Sequence, residues 1–453
     1  MTMKKVCVVG LGYVGLPTAI LAAQGGLYVV GVDSNEERVE KIKKCLPVIE
    51  EPEILEKLHT VIDTPHFKVT TTYEPADYFV VAVPTPFKED KRADLSYVSS
   101  TAMSIADVIK KGDTIILEST IPVGATRSFS YVIEHETGMK AGKDFYVSHC
   151  PERVLPGNIF QELKVNDRVI GGIDPTSVQK AAEFYKYFVS GDLYLTDAET
   201  AEMAKLIENS YRDVNIAFAH QVATMAEKEG LNPYEVIELA NKHPRVSILN
   251  PTCGVGGHCV AVDPYFLISS FEKESTLLKE ARAINTQRPL HVLERVKAEV
   301  KAWQKKHERT CKVLVLGITY KPDVDDLRES PARAIAIDLS QETMIDLSVC
   351  DPHITQDRLG EYLKDKMVSL QEGVEIADIV VPLVAHSQFK MLDKKVLAKK
   401  PVLDYCGLLH LNRKESREQE QFFWPASESN DFYRTSMMEM LRSTKDTPTE
   451  EQV

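Results

Sequence analysis

Two stretches of this sequence hold residue types and spacings that can do chemistry. The first is Gly10-Leu11-Gly12-Tyr13-Val14-Gly15, a G-x-G-x-x-G run. It follows a short β-branched run, residues 5–9, and leads into residues 17–23, which suit the first turns of a helix. A second apolar run then ends at Asp33, 18 residues past Gly15. Strand, glycine turn, helix, strand and acid in this order predict a dinucleotide site. Gly10 allows the tight turn, Gly12 lets the backbone approach a pyrophosphate, and Gly15 lets the helix pack on the strand. The helix N-terminus stabilises the phosphate charge. Asp33 would accept ribose hydroxyls and repel a 2′-phosphate, which favours NAD over NADP; Arg38 leaves that choice open, because an arginine here can accommodate the phosphate.

The second stretch is Gly254-Val255-Gly256-Gly257-His258-Cys259, a thiol behind a glycine-rich run, with Asp263-Pro264 four residues later. A lone cysteine is more often a small buried hydrophobe than a nucleophile. The glycines argue the other way, since they permit close backbone approach to a ligand. A third set lies on a helix: Lys205 and Asn209 are spaced i,i+4 and so share one face.

These residues need elements to hold them. Apolar runs at residues 78–83, 114–117, 145–147 and 168–170 alternate with helical patterns, which implies a parallel sheet covered on both faces. From Thr196 the pattern changes. Thr196 and Glu199 fit a capping box and Gly230 a helix stop, framing a helix of roughly 30 residues. Along it Ala204, Ile207, Tyr211, Val214, Phe218, Val222 and Met225 form an apolar stripe, expected to be a packing face. Lys205, Asn209, Arg212 and Ile216 form a second, working face. Such a helix commonly packs as a spine, often against a second subunit. The α/β pattern restarts near residue 311, with strands at 312–316, 344–349, 376–381 and 402–404. The fold expected is α/β: two Rossmann-like, doubly wound parallel-sheet domains joined by a long central helix. The boundaries expected are 1–195, 196–305 and 306–425, with a polar tail at 426–453.

Composition agrees with a globular chain. In 453 residues, 43% hydrophobic and 27% charged is too apolar for a disordered protein. The net charge of −13 disfavours nucleic acid or an anionic membrane as the main partner. No apolar run is long enough for a membrane span, and the glycines and Pro17 make residues 4–23 a poor export signal. Eight scattered cysteines without a CxxC pair read as reduced cytoplasmic thiols.

Taken together, the segments resemble the UDP-glucose/GDP-mannose dehydrogenase superfamily, the nucleotide-sugar 6-dehydrogenases. The resemblance rests on residues 9–17 (VGLGYVGLP), 83–86 (VPTP), 118–120 (EST), 151–153 (PER), 201–209 (AEMAKLIEN), 256–259 (GGHC) and 325–330 (DDLRES). Residues 150–157 (CPERVLPG), 166–172 (NDRVIGG), 241–246 (NKHPRV) and 212–218 (RDVNIAF) are most similar to the branch acting on UDP-N-acetylmannosamine.

The resemblance implies oxidation of a sugar C6 alcohol to a carboxylate by two hydride transfers to two NAD. A Cys259 thiolate would capture the intermediate aldehyde as a thiohemiacetal, which is oxidised to a thioester and hydrolysed. A free thiol is only a few per cent thiolate at neutral pH and needs activation, for which Lys205 is the candidate cation. Lys205 and Asn209 would stabilise the oxyanion and hold a water, Asp263 and Glu152 would activate water and accept protons, and Thr120 would bind water. Thr85, Thr120 and Arg328 join the glycine turn, Asp33 and Arg38 as cofactor contacts. Glu152, Arg153, Val154, Lys205, Asn209, Arg212, His243, Arg245, Gly256, Tyr320 and Lys321 are the implied substrate contacts, with Arg245 reaching a neighbouring subunit's sugar site. The implied assembly is a homodimer or larger homo-oligomer, and the implied product feeds surface polysaccharide. The residues leave rivals open: UDP-N-acetylglucosamine, UDP-glucose or GDP-mannose as substrate, a two-electron β-hydroxyacid dehydrogenase, and a non-catalytic nucleotide-sugar or NAD sensor.

Two departures from the family pattern stand out. Thr252-Cys253-Gly254 replaces the usual Gly-Pro-Gly, raising the option of a Cys253–Cys259 disulfide switch beside the plainer reading of a substituted loop residue. His220-Gln221 replaces the more usual Asn-Glu on the central helix.

Overall fold

The structure is a computed structural model that describes residues 3–411 apart from 50, 52, 155, 156, 394–396 and 398. The expected polar tail at 426–453 lies outside the described residues. The chain divides into two compact units, one of residues 1–211 and 262–276, the other of residues 212–261 and 277–453. Residues of the expected central segment, 196–305, fall in both.

The first unit is built on an eight-stranded sheet. In chain order its strands are β1 (Lys5–Val9), β2 (Tyr28–Val32), β3 (Phe67–Thr70), β4 (Tyr78–Val81), β5 (Thr114–Leu117), β6 (Tyr146–His149), β7 (Arg168–Gly172) and β8 (Leu193–Asp197). Their spatial order is β3-β2-β1-β4-β5-β6-β7-β8. The first six are parallel in the order of a dinucleotide-binding fold. The expectation of a wholly parallel sheet needs correcting at its edge, where β7 runs antiparallel to β6 and β8 follows β7. Alternate residues serve alternate faces. Val6 and Val8 enter one core and Cys7 and Val9 the other, as the period of two in a doubly covered strand requires.

The second unit repeats the design in small. β9 (Cys311–Leu316), β10 (Ile345–Cys350) and β11 (Ile379–Pro382) form a parallel sheet in the order β10-β9-β11. Residues 402–404 do not form a strand of their own and contribute only a bridge from Val402 to Val380. Lacking the glycine triplet, this half nonetheless reproduces the turn after the first strand. Gly10 and Gly317 both have positive φ, +89° and +84°. Leu11 N donates to Asp33 Oδ2 at 2.9 Å, and Ile318 N donates to Asp351 Oδ2 at 2.8 Å. Each acid also accepts a backbone N–H two residues on, from Asn35 and from His353.

The central helix runs Ala198–Lys228 and ends where Leu231 N reaches back to Ala226 O beside Gly230, whose φ is +70°. Its N-terminus is not capped by the Thr196–Glu199 box. Asp197 accepts from Thr200 N and Oγ1 instead, because Thr196 is still in β8, paired with Gly171. Glu199 pairs with Arg127. The apolar stripe expected as a packing face is not covered by the chain itself: Ile207, Tyr211, Phe218 and Met225 are 49–68% exposed. The buried face carries Leu206 among mostly small and polar residues, including Ala201, Glu202, Ser210, Asp213, Ala217, His220, Ala223 and Glu227. In the second unit these polar groups lock onto the second long helix, Thr276–His307, through Asp213–Arg282 and Glu227–Arg288 ion pairs. Among the described residues no helix is long and apolar enough to cross a membrane.

Candidate active site

The glycine turn is built for two different reasons. A Cβ on Gly10 would lie 2.5 Å from Ala82 O, and one on Gly15 would lie 1.9 Å from Gly10 O, so the fold itself excludes side chains there. A Cβ on Gly12 would meet no protein atom within 4 Å. Nothing in the chain's own packing demands glycine at that position, whereas a pyrophosphate lying against the backbone does. Leu11 N is tied to Asp33, and the Tyr13 hydroxyl donates to the buried Glu51 carboxylate, which also accepts Gly157 N. Val14 precedes the helix Gly15–Gln24 as its cap residue. Asp33 sits at the end of β2, 5% exposed, with Arg38 Nη1 3.0 Å from Oδ2. The guanidinium that left NADP open is therefore paired with this acid. These residues fit an NAD dinucleotide: open space over Gly12, an acid where the ribose is expected, and a helix opening at Gly15.

The loops after β4 and β5 are tied together. Thr85 Oγ1 donates to Thr120 O at 2.6 Å, and Ser119 Oγ donates to Val83 O at 2.7 Å, so two expected cofactor contacts meet. Below them Glu118 is buried, accepting from Tyr185 Oη (2.8 Å) and Thr18 Oγ1 (3.2 Å). Burial raises its carboxyl pKa, opposed first by the Arg168 guanidinium. Glu152 folds over its own loop, Oε2 accepting Val154 N at 2.7 Å, while its Oε1 is buried with no hydrogen-bond partner. A buried carboxylate oxygen without a donor is poised for a ligand proton. Arg153 pairs with Glu208 of the central helix at 2.7 Å.

The start of the central helix supplies the next groups. Glu202 caps the helix Ala125–Thr137, accepting Gly124 N, Thr126 N and Thr126 Oγ1 at 2.6–2.7 Å. The residue reading assigned it no role, and its partners lie more than 70 residues away in sequence. One turn on, Lys205 is half-buried, and a further turn on Asn209 is buried. Asn209 Nδ2 donates to Asp263 Oδ2 at 2.5 Å. Asp263, 3% exposed, is pushed up to about 6 by burial, against the Asn209 hydrogen bond and the Lys205 cation. A carboxyl near neutrality can exchange protons at working pH. Burial also pushes His149, at the end of β6, down to about 3, and the Lys205 charge adds to that. It is a neutral imidazole in the field of Lys205 that sequence reasoning did not find. Lys205, Asn209, Asp263, Glu152 and Thr120 thus belong to the first unit.

In the second unit the thiol run packs on the loop after β9. A Cβ on Gly256 would lie 2.4 Å from Glu329 O, and one on Gly257 would lie 2.8 Å from the Tyr320 ring. Glycine is required at both because the backbones lie flush. Cys259 is partly exposed and unbridged. Burial raises the Tyr320 hydroxyl to about 12, with the charges of Asp326 and Cys259 adding to it and those of Arg328 and Arg212 opposing. These five residues therefore share one electrostatic neighbourhood. Arg328 is held by Asp326 at 2.6–3.0 Å, and the Lys321 ammonium lies 5.6 Å from the Tyr320 ring centre. Cys253 is a core residue packed with Val292 and Val315, and burial raises its thiol to about 12. Both Cys253 and Cys259 are unbridged.

His220 has a clear task. Its Nε2 accepts Thr252 N at 3.2 Å, so Nδ1–H donates to Asn285 Oδ1 at 2.9 Å. Thr252 Oγ1 in turn donates to Gly254 O, so the substituted histidine anchors the start of the thiol run. His243 and Arg245 lie in an exposed loop, joined by a 3.4 Å contact from Arg245 N to His243 Nδ1.

Comparison with known proteins identifies the family. Residues 4–189, 199–287 and 314–410 match the NAD binding, central and UDP binding domains of the UDP-glucose/GDP-mannose dehydrogenase family. The chain is 43% identical over 396 residues to the UDP-N-acetyl-D-mannosamine dehydrogenase of Campylobacter jejuni, covering 85% of this chain and 96% of that protein. It is 41% identical to an NDP-N-acetyl-D-galactosaminuronic acid dehydrogenase of Ralstonia solanacearum, covering 90% and 97%. The solved structure of a UDP-D-ManNAc dehydrogenase from Pyrococcus horikoshii superimposes with a TM-score of 0.81 at 38% identity, covering 89% and 96%.

Proposed function

The chain belongs to the UDP-glucose/GDP-mannose dehydrogenase family, an NAD-dependent nucleotide-sugar dehydrogenase, and on that premise we propose that it oxidises UDP-N-acetyl-D-mannosamine at C6 to the uronate in two two-electron steps. NAD, when bound, would supply the hydride acceptor for each step. The Gly10–Gly15 turn, Asp33, Thr85 and Thr120 would hold the dinucleotide, with Arg328 as a further contact by resemblance to the family. Cys259 adds as thiolate to the C6 aldehyde, forming a carbon–sulfur bond. The thiohemiacetal loses the second hydride and its hydroxyl proton to give a thioester. Water then cleaves the carbon–sulfur bond, releasing carboxylate and thiol.

The other side chains take roles suited to their surroundings. Lys205 and the second amide N–H of Asn209 stabilise the oxyanion that forms in each addition. Asp263, near neutrality and fixed by Asn209, takes the proton of the attacking water. Glu152 accepts the alcohol proton on its partnerless Oε1, and Thr120 holds a water. Arg153, Val154, Arg212, His243, Gly256, Tyr320 and Lys321 contact the nucleotide sugar.

The observation that carries this reading is the 43% identity, over nearly the whole of the relative, to a protein named for this substrate. The Ralstonia relative makes an N-acetylgalactosamine derivative the nearest competitor. The test is a panel of UDP-N-acetylmannosamine, UDP-N-acetylgalactosamine, UDP-N-acetylglucosamine, UDP-glucose and GDP-mannose. A kcat/KM highest for the first supports the assignment, and a higher value for any other replaces it.

Two further parts of the reading go with it. The exposed stripe of Ile207, Tyr211, Phe218 and Met225 is the face of a homodimer, across which Arg245 reaches the partner's sugar site. The segments 1–195, 196–305 and 306–425 act as NAD-binding, central and UDP-sugar-binding domains in the cytoplasm, and the uronate serves surface polysaccharide.

A further inference from the structure

We propose that the carboxyl ends of β9, β10 and β11 form a divalent-metal site, with Asp323, His353 and His386 as ligands. Each comes from the loop after a different strand, at the crevice where open α/β sheets bind ligands. One ligand atom from each lies within 4.8 Å of the others. Asp323 Oδ1 is 3.6 Å from His353 Nε2 and 3.8 Å from His386 Nδ1. Zinc-to-ligand bonds of about 2.0–2.2 Å place tetrahedral neighbours roughly 3.4 Å apart, so closing the site takes shifts of a few tenths of an ångström for these pairs.

The surroundings point the same way. His353 Nε2 is buried and has no hydrogen-bond partner, an unmet polar atom that a metal would satisfy. His386 is fully buried, with Nε2 3.2 Å from Asp351 Oδ2. A carboxylate on one ring nitrogen orients the other toward a metal, as ligating histidines usually require. His386 Nδ1 accepts Asp323 N at 3.0 Å, a bond the metal would replace. Asp323 has a φ of +58°, and Ser387 N and Oγ hold its carboxylate at 2.8 and 2.6 Å. Two imidazoles and one carboxylate suit zinc or a similar first-row ion, with a fourth position open to water or a phosphate oxygen. The ion would clip together three loops, among them the one that bears Tyr320, Lys321 and Arg328.

The test is cobalt(II) titration of the chelator-treated full chain, read by absorption. One cobalt per chain is expected, with the visible d–d bands of a tetrahedral nitrogen–oxygen site and displacement by zinc. No thiolate-to-cobalt charge-transfer band should appear, and Cys259→Ser should leave the spectrum unchanged. His353→Ala and Asp323→Asn should each weaken binding by at least about tenfold; asparagine tolerates the left-handed backbone, so the second variant decides if the first does not fold. Absence of the d–d bands, their persistence in both variants, or their loss in Cys259→Ser would overturn the proposal. This readout does not depend on which sugar the enzyme oxidises.

Discussion

Asn209 donates a 2.5 Å hydrogen bond to Asp263, and the carboxyl that receives it is nearly sealed from solvent. Burial sets its proton affinity near neutral pH, and the Asn209 bond fixes which oxygen is left to work.

The first prediction concerns pH. If Asp263 must be ionised to activate water, kcat rises with pH through an apparent pKa of about 6. Asp263→Asn should lower kcat by about 10²–10⁴ while leaving NAD binding intact. Stability moves oppositely. The folded pKa lies above the ordinary 3.8, so between 3.8 and about 6 the native state binds more protons than the unfolded chain. The contribution is full below that window and lost as pH rises through about 6. Asp263→Asn should therefore melt above the parent at neutral pH. A variant that is both active and less stable removes Asp263 from the chemistry.

The second concerns the thiol. Cys259→Ala should reduce uronate formation by at least about a thousandfold, since removing a nucleophile removes its whole pathway. NAD affinity, measured by calorimetry, should be unchanged. Full uronate production by this variant rules out the covalent route.

The third concerns cofactor choice. Asp33→Asn keeps an oxygen for Leu11 N but loses the ion pair with Arg38. Charged hydrogen bonds contribute about 1.5–3 kcal/mol, so kcat/KM for NAD should fall roughly tenfold or more. The freed guanidinium should narrow the preference for NAD over NADP. An unchanged ratio of the two kcat/KM values counts against this role for Asp33.

The fourth concerns assembly. Phe218→Glu puts a carboxylate in the exposed apolar stripe. An unpaired charge buried in an interface costs about 3–5 kcal/mol, so dimer affinity should fall by at least about a hundredfold. Sedimentation should show a dimer for the parent and a monomer for the variant; a monomeric parent, or a dimer in both, places the contact elsewhere.

How much of this was readable from residues alone follows from physics. β1, the glycine turn and Asp33 stand out because a doubly buried parallel strand is a continuous β-branched run and the turn has its own motif. β8 does not, since it is an edge strand whose Tyr194 and Leu195 are 55% and 43% exposed. The stripe on the central helix was correctly periodic but faces outward, because periodicity identifies an apolar face and says nothing about what covers it. Asp197 displaced Thr196 as cap because β8 extends to the helix start, a tertiary fact. Glu202 and His220 were opaque for a related reason. Their hydrogen-bond partners, Thr126 and Thr252, are 76 and 32 residues away. The second half's copy of the glycine turn was hidden because Gly317 and Asp351 carry it without the triplet.

The central claim is that one sugar carbon gives up two hydrides in succession while covalently held by Cys259. The direct measurement is NADH formed per UDP-N-acetylmannosamine consumed, read at completion with excess NAD. Two NADH and one uronate per sugar is the predicted result. A ratio of one with the aldehyde as final product, or no NADH from any nucleotide sugar, would contradict it.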